Sequence, residues 1–174
     1  DRYIPFLKGF ILPYLLWFIY IVIAPVYLGI KSQKRFINFG TFVVIGQIIC
    51  MLVYFLYPNG QNLRPNVISN DIFSRAILAA YRSNPFTYAA PSIHVLYSLA
   101  VHIGLMKYKP FARKKVLPKL SLLFILLSIL STLFIKQHAV LDILLGLLLC
   151  AMLYLLVYKV MPKRRKTYNA INTL

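Results

Sequence analysis

The sequence predicts an all-α integral membrane protein, a bundle of five transmembrane helices with a long extracytoplasmic loop between the second and the third. Three observations lead there. Hydrophobic residues make up 60% of the 174 positions and mean hydropathy is +0.74, well above that of a soluble domain. Five runs approach the about 20 apolar residues needed to cross a hydrocarbon core of about 30 Å. The basic residues are concentrated in alternate loops along the chain, as the positive-inside rule requires of a multi-span protein.

The first run extends from about Phe10 to Ile30 and the second from about Phe39 to Tyr57, interrupted only by Gly, Pro and uncharged polar residues. The third starts at Ser92 and ends near Met106, the fourth occupies roughly Leu120 to Ile135, and the fifth begins at His138 and runs to about Tyr158. The stretch from Pro58 to Pro91 carries Arg64, Asp71, Arg75 and Arg82 and is too polar to span. Internal repeats are absent, so residues 1–174 read as a single transmembrane domain. Its last segment, 163–174, reads as a basic cytoplasmic tail at the membrane surface.

A net charge of +17 invites a nucleic-acid-binding reading, but its distribution argues for no nucleic acid partner. Fourteen of the 20 Lys and Arg residues follow the first, third and fifth spans, and six, including Arg64 and Lys136, lie on the other side. The three basic loops are therefore expected in the cytoplasm of a cell-membrane protein, with the long loop and the turn at Lys136 facing outward. This orientation puts Asp1 outside and leads to the expectation of a further helix upstream, making six spans. Cys50 and Cys150 fall inside apolar runs, where a thiol packs as a small hydrophobe; neither a disulfide nor a metal site is expected.

Only three acidic residues and three histidines occur, so each position carries information. Asp142 sits one turn inside the fifth run, where an ionisable group is costly and marks a functional site by default. Its natural partner is His138, four residues earlier on the same helical face. The carboxylate would hold one ring nitrogen and leave the other as a nucleophile or base. A pair that merely caps a helix start would look the same. Pro91-Ser92-Ile93-His94 opens the third run, with Ser92 as an N-cap whose free backbone N–H groups suit a phosphate, and with His94 placed to donate a proton. Arg64-Pro65 offers a planar guanidinium fork on a stiff turn. Each signal alone is weak. The predicted topology nevertheless puts Arg64, Ser92, His94, Lys136, His138 and Asp142 on one face of the membrane, which suits an anion. His102, about two turns deeper than His94, has no assigned role.

These residues resemble the motifs of the phosphatidic acid phosphatase type 2 superfamily of membrane lipid phosphatases and phosphotransferases. Arg64-Pro65 is similar to its first motif, Pro91-Ser92-Ile93-His94 to its second, and Ser131, His138 and Asp142 to its third, all within about half of the chain. Tyr57 stands where that family has Lys, Ile93 where it has Gly, and Thr132 where it has Arg. The pattern looks more like the branch that includes inositol phosphorylceramide synthases, with Lys136 supplying replacement charge. The resemblance implies that His138 attacks phosphorus, Asp142 orients it and His94 protonates the leaving alcohol. It also implies that Arg64, Ser92 and Ser131 line the phosphate, with no metal and no cofactor, and Lys136 is expected beside them from its proximity to His138.

The function expected is that of a membrane lipid phosphate phosphatase acting on a lipid phosphomonoester or pyrophosphate within the bilayer. Two alternatives stand beside it: a lipid headgroup phosphotransferase, and an inactive protein that binds or transports lipid phosphates. A glycerolipid acyltransferase would separate its His and Asp by four residues, whereas Ala139, Val140 and Leu141 make three.

Overall fold

A backbone immersed in hydrocarbon must satisfy its own N–H and C=O groups, and a helix does so within one segment. The computed structural model describes residues 1–60, 62–66, 71–83 and 89–161. The tail expected at 163–174 lies outside them. Among the described residues the chain is helical, with no strand. A 3-10 turn at Lys8–Phe10 leads into α1 (Ile11–Lys31), which is followed by α2 (Gln33–Leu56), α3 (Ile72–Ser83) and α4 (Ile93–Lys107). The short α5 (Lys109–Ala112), α6 (Leu117–Phe134) and α7 (Val140–Leu155) complete the set, and α7 runs on through a π-helical turn at Leu156–Val160.

Four helical segments are long and apolar enough to cross a membrane: Lys8–Lys31, Gln33–Leu56, Leu117–Phe134 and Val140–Val160. The expected third span is instead the 15-residue α4, which at 1.5 Å per residue is only about 22 Å long. It packs against α1, α2, α6 and α7, and about half of its residues are buried. It is apolar but shorter than the hydrocarbon core of about 30 Å, and its place is at the centre of the packed helices.

On α7, Leu141, Leu144, Leu148, Met152 and Leu155 are exposed at helical spacing, while Ile143, Gly146, Leu149 and Leu153 are buried on the other face. The exposed stripe is the lipid-facing side of a spanning helix, and the buried stripe packs the bundle. Gly146 is needed there, because a Cβ would lie 3.0 Å from Val95 Cβ and 3.2 Å from the Ser92 carbonyl oxygen. The missing side chain lets α7 approach the start of α4.

The stretch between α2 and α4, expected as a loop, contains α3. Asp71 starts it by accepting a hydrogen bond from the Ser74 backbone N–H at 2.9 Å. Ser74, Ile77 and Ala80 form its buried face, and Ile77 packs with Ile11, Tyr14 and Ile135. Residues 1–10 lie across the same end of the bundle: Leu7 N–H donates to the Phe134 carbonyl at 3.1 Å, and Lys8 pairs with Asp71 at 3.0 Å.

Candidate active site

Four chain segments converge at this end of the bundle. The first is the start of α4. Asn59 holds the backbone ahead of it, donating to the Ala90 carbonyl at 2.9 Å and accepting from the N–H groups of Ala90 at 2.7 Å and Ala89 at 3.2 Å. The Tyr54 hydroxyl donates to the Pro91 carbonyl. Ser92 is the N-cap of α4, its hydroxyl accepting from Val95 N–H at 3.4 Å, and its own N–H donates to the Asp142 carbonyl at 3.0 Å. The backbone N–H groups of Ile93 and His94 have no protein partner among the described residues. His94 is thus fixed one residue into a helix whose first turn is bonded to α7.

The second segment is the turn between α6 and α7. The Thr132 carbonyl closes α6 by accepting from Gln137 N–H at 2.7 Å and His138 N–H at 3.1 Å. His138 therefore lies on the turn, and α7 starts only at Val140, two residues later than the expected fifth helix. Pairing by helical i,i+4 register is corrected accordingly, yet the two side chains meet: His138 Nδ1 is 3.3 Å from Asp142 Oδ2. The same oxygen accepts from Ala139 N–H at 2.8 Å, so the carboxylate caps α7 and faces the imidazole at once.

His138 Nε2 lies 3.1 Å from His94 Nδ1. A carboxylate only accepts, so the His138 tautomer that satisfies Asp142 carries its proton on Nδ1 and a lone pair on Nε2. His94 Nδ1–H is then the donor. The remaining nitrogen, His94 Nε2, is buried without a partner among the described residues. A ring from α4 and a ring from the α6–α7 turn thus share one contact, the latter braced by a buried carboxylate.

The third segment is α1, where sequence reasoning found no site residue. The His94 ring lies 4.4 Å from Trp17 and 5.2 Å from Tyr14, centroid to centroid, and Trp17 Nε1–H donates to Ser98 Oγ at 2.8 Å. Both aromatic rings are buried and wall His94 on the α1 side. Trp17 is the single Trp of the chain, but its place within an apolar run gives no sign of which way it faces.

Arg64 reaches the turn from the α2–α3 connection. Its Nη1–H donates to the Tyr81 carbonyl at 3.0 Å, its Nη2–H to Gln137 Oε1 at 3.3 Å, and its guanidinium lies 4.5 Å over the Tyr81 ring. It is therefore anchored to the residue next to His138. Burial pushes the guanidinium down from its usual value and pushes the Tyr81 phenol up to about 12. Both keep their charge state through neutral pH.

Two expected phosphate-binding residues are not brought to the imidazoles. Lys136, at a φ of 56°, is buried, and its ammonium donates to the carbonyls of Asp1, at 2.9 Å, and Ile4. Its charge is committed to the N-terminal segment. Ser131 is buried within α6 and its hydroxyl donates to the Ser128 carbonyl at 2.6 Å, one turn back on its own helix. Thr132, where the resemblance would require Arg, is likewise enclosed, whereas Tyr57, in place of Lys, is exposed. No group of three or more His, Cys, Asp or Glu residues that could hold a metal occurs among the described residues.

A family model described as the PAP2 superfamily matches residues 35–166, which is more than half of the chain and includes every residue above except those of α1 and the N-terminal segment. Neither the curated proteins nor the solved structures contain a match to it.

Proposed function

The chain belongs to the PAP2 superfamily, and from that premise we propose that it is a membrane lipid phosphate phosphatase that works through a phosphohistidine on His138. Membership carries a phosphatase- or phosphotransferase-type function and a lipid phosphate substrate. The observation that supports the finer reading is the 3.1 Å contact between His94 Nδ1 and His138 Nε2, with Asp142 on the far nitrogen of His138.

In this reading the Nε2 lone pair of His138 attacks phosphorus, the phosphorus–oxygen bond to the lipid breaks, and His94, which enters the step as the imidazolium, delivers a proton to the departing oxygen and is left neutral. Asp142 fixes the tautomer and stabilises the positive charge that develops on the ring. Water then attacks the phosphohistidine, with His94 taking its proton, and free phosphate leaves. Arg64 and the N–H groups of Ile93 and His94 are assigned as donors to the developing phosphoryl charge. Attack requires about 3–3.5 Å between nitrogen and phosphorus, so two rings in direct contact must part to admit the phosphoryl group. Their contact is the resting arrangement.

Purified protein in detergent is expected to release phosphate from phosphatidic acid or a polyprenyl pyrophosphate in the presence of EDTA. His138→Ala is expected to lower turnover at least about 10³-fold, the scale on which loss of a nucleophile acts. Full turnover in that variant would remove His138 as nucleophile, and loss of turnover with EDTA would remove the metal-free reaction. Diversion of product from free phosphate to an added alcohol would identify a transferase using the same intermediate.

A further inference from the structure

The half of the bundle farther from the imidazole pair carries a feature that the proposed reaction does not use. A groove of about 430 Å³ lies between α1 and α6, walled by Ala24 and Tyr27 of α1, Phe111 of α5, and Leu117, Leu120 and Phe124 of α6. The volume is in the range of about 300–1,000 Å³ typical of small-molecule pockets. Two of its three hydroxyl-bearing wall residues are turned to each other: Tyr20 OH is 2.7 Å from Ser121 Oγ, which is 2.7 Å from His102 Nδ1, and the third is Tyr27. This stitch ties α1, α4 and α6 at one point, gives His102 a structural role, and leaves the groove itself apolar.

Depth selects the leaflet. At 1.5 Å per residue, Ala24 and Tyr27 lie about 20–24 Å along α1 from Ile11, in a hydrocarbon core of about 30 Å. A tail anchored in the leaflet beside the imidazoles covers about half of that core and reaches only the near end of the groove, at Tyr20 and Phe124. A tail from the opposite leaflet enters it directly.

Charge selects the headgroup. The segment that supplies Phe111 and Leu117 to the wall also presents Lys109, Arg113, Lys114, Lys115 and Lys119, all exposed. None of them forms an ion pair among the described residues, and the three acidic residues of the chain lie toward the other end of the bundle. Five cations in eleven positions repel one another until an anion neutralises them, and each contributes about 1 kcal/mol next to an anionic membrane surface. The cations alone would fit any anionic surface and the groove alone any tail. Their adjacency selects a molecule that has both.

We propose that groove and cations form one binding site for an anionic glycerophospholipid of the leaflet opposite the imidazole pair, with an acyl chain between α1 and α6 and the phosphate on the basic segment. The site is independent of the reaction proposed above. It is tested with the full chain in detergent, offered equimolar phosphatidylglycerol and phosphatidylcholine of the same acyl composition, with retained lipid read by native mass spectrometry. Retention of phosphatidylglycerol is expected to exceed that of phosphatidylcholine about tenfold, a difference of about 1.4 kcal/mol. Replacing the five exposed cations by Gln is expected to abolish the preference. Leu120→Trp, at an exposed wall position, is expected to lower retention of both lipids. Equal retention by the unaltered protein, or an undiminished preference in the five-Gln variant, would overturn the site. Unchanged retention in Leu120→Trp would leave only surface electrostatics and overturn the groove.

Discussion

Lys136 lies close to His138 in sequence while its ammonium is bonded elsewhere. Two positions before His138, it adopts a left-handed backbone conformation that costs a non-glycine residue about 1–2 kcal/mol, and its ammonium is held by two carbonyls of the N-terminal segment. Hydrogen bonds to charged groups contribute about 1.5–3 kcal/mol each, enough to offset that strain. Lys136→Ala is therefore expected to lower stability by about 2–4 kcal/mol in denaturant titration while changing KM for a lipid phosphate less than Arg64→Ala does. A KM rise equal to that of Arg64→Ala would put the ammonium on the phosphate instead. His94, His138 and Asp142 were legible because ionisable groups are scarce in this chain and each had to be explained. Asn59 was not. Its hydrogen bonds run to backbone about 30 residues away, and no periodicity or spacing encodes a side chain that pairs with distant main chain. Trp17 and Tyr14 were hidden for a related reason: aromatic residues in an apolar run look the same whether they face lipid or a histidine.

The helices as units account for the convergence of the imidazoles. His94 and His138 meet because the first turn of α4 lies against the first turn of α7, joined by Ser92 N–H to the Asp142 carbonyl and made close by Gly146. A side chain at position 146 would push α7, and with it the turn that carries His138, away from the start of α4 that carries His94. Gly146→Ala, whose Cβ meets Val95 at 3.0 Å, is expected to cost about 1–3 kcal/mol of stability with partial activity. Gly146→Val, which adds branches to the same contact, is expected to lower kcat more than tenfold with a smaller effect on KM. Wild-type kcat in a folded Gly146→Val protein would separate the helix contact from the chemistry. Hydropathy located the ends of α1, α4 and α6 to within a few residues, since in hydrocarbon apolar length and helix length are the same constraint. It missed α3, whose 12 residues are too few for a span and carry Arg75 and Arg82, and whose buried face is only Ser74, Ile77 and Ala80. It also extended the fifth helix back over His138, because composition does not reveal where the Thr132 carbonyl stops one helix before another begins.

At the scale of the molecule, four long apolar helical segments surround one short one, and that architecture concentrates polar groups at one end of the bundle. The exposed apolar stripe of α7 supplies the lipid contact, α4 supplies the centre, and Arg64, His94, His138 and Asp142 collect where the first turns of α4 and α7 meet the connection from α2. Such an arrangement lets a lipid keep its chains in the bilayer while its headgroup meets two imidazoles from different elements. The central claim is that these rings act on one phosphoryl group, with His138 as its covalent acceptor. Rapid acid-free quenching of the protein with ³²P-labelled lipid phosphate, followed by mass-spectrometric mapping, tests it most directly. The expected result is an acid-labile, base-stable label on His138 that is absent from His138→Ala. Turnover accompanied by label on any other residue, or by no labelled protein under conditions where water attack is slowed, would contradict it.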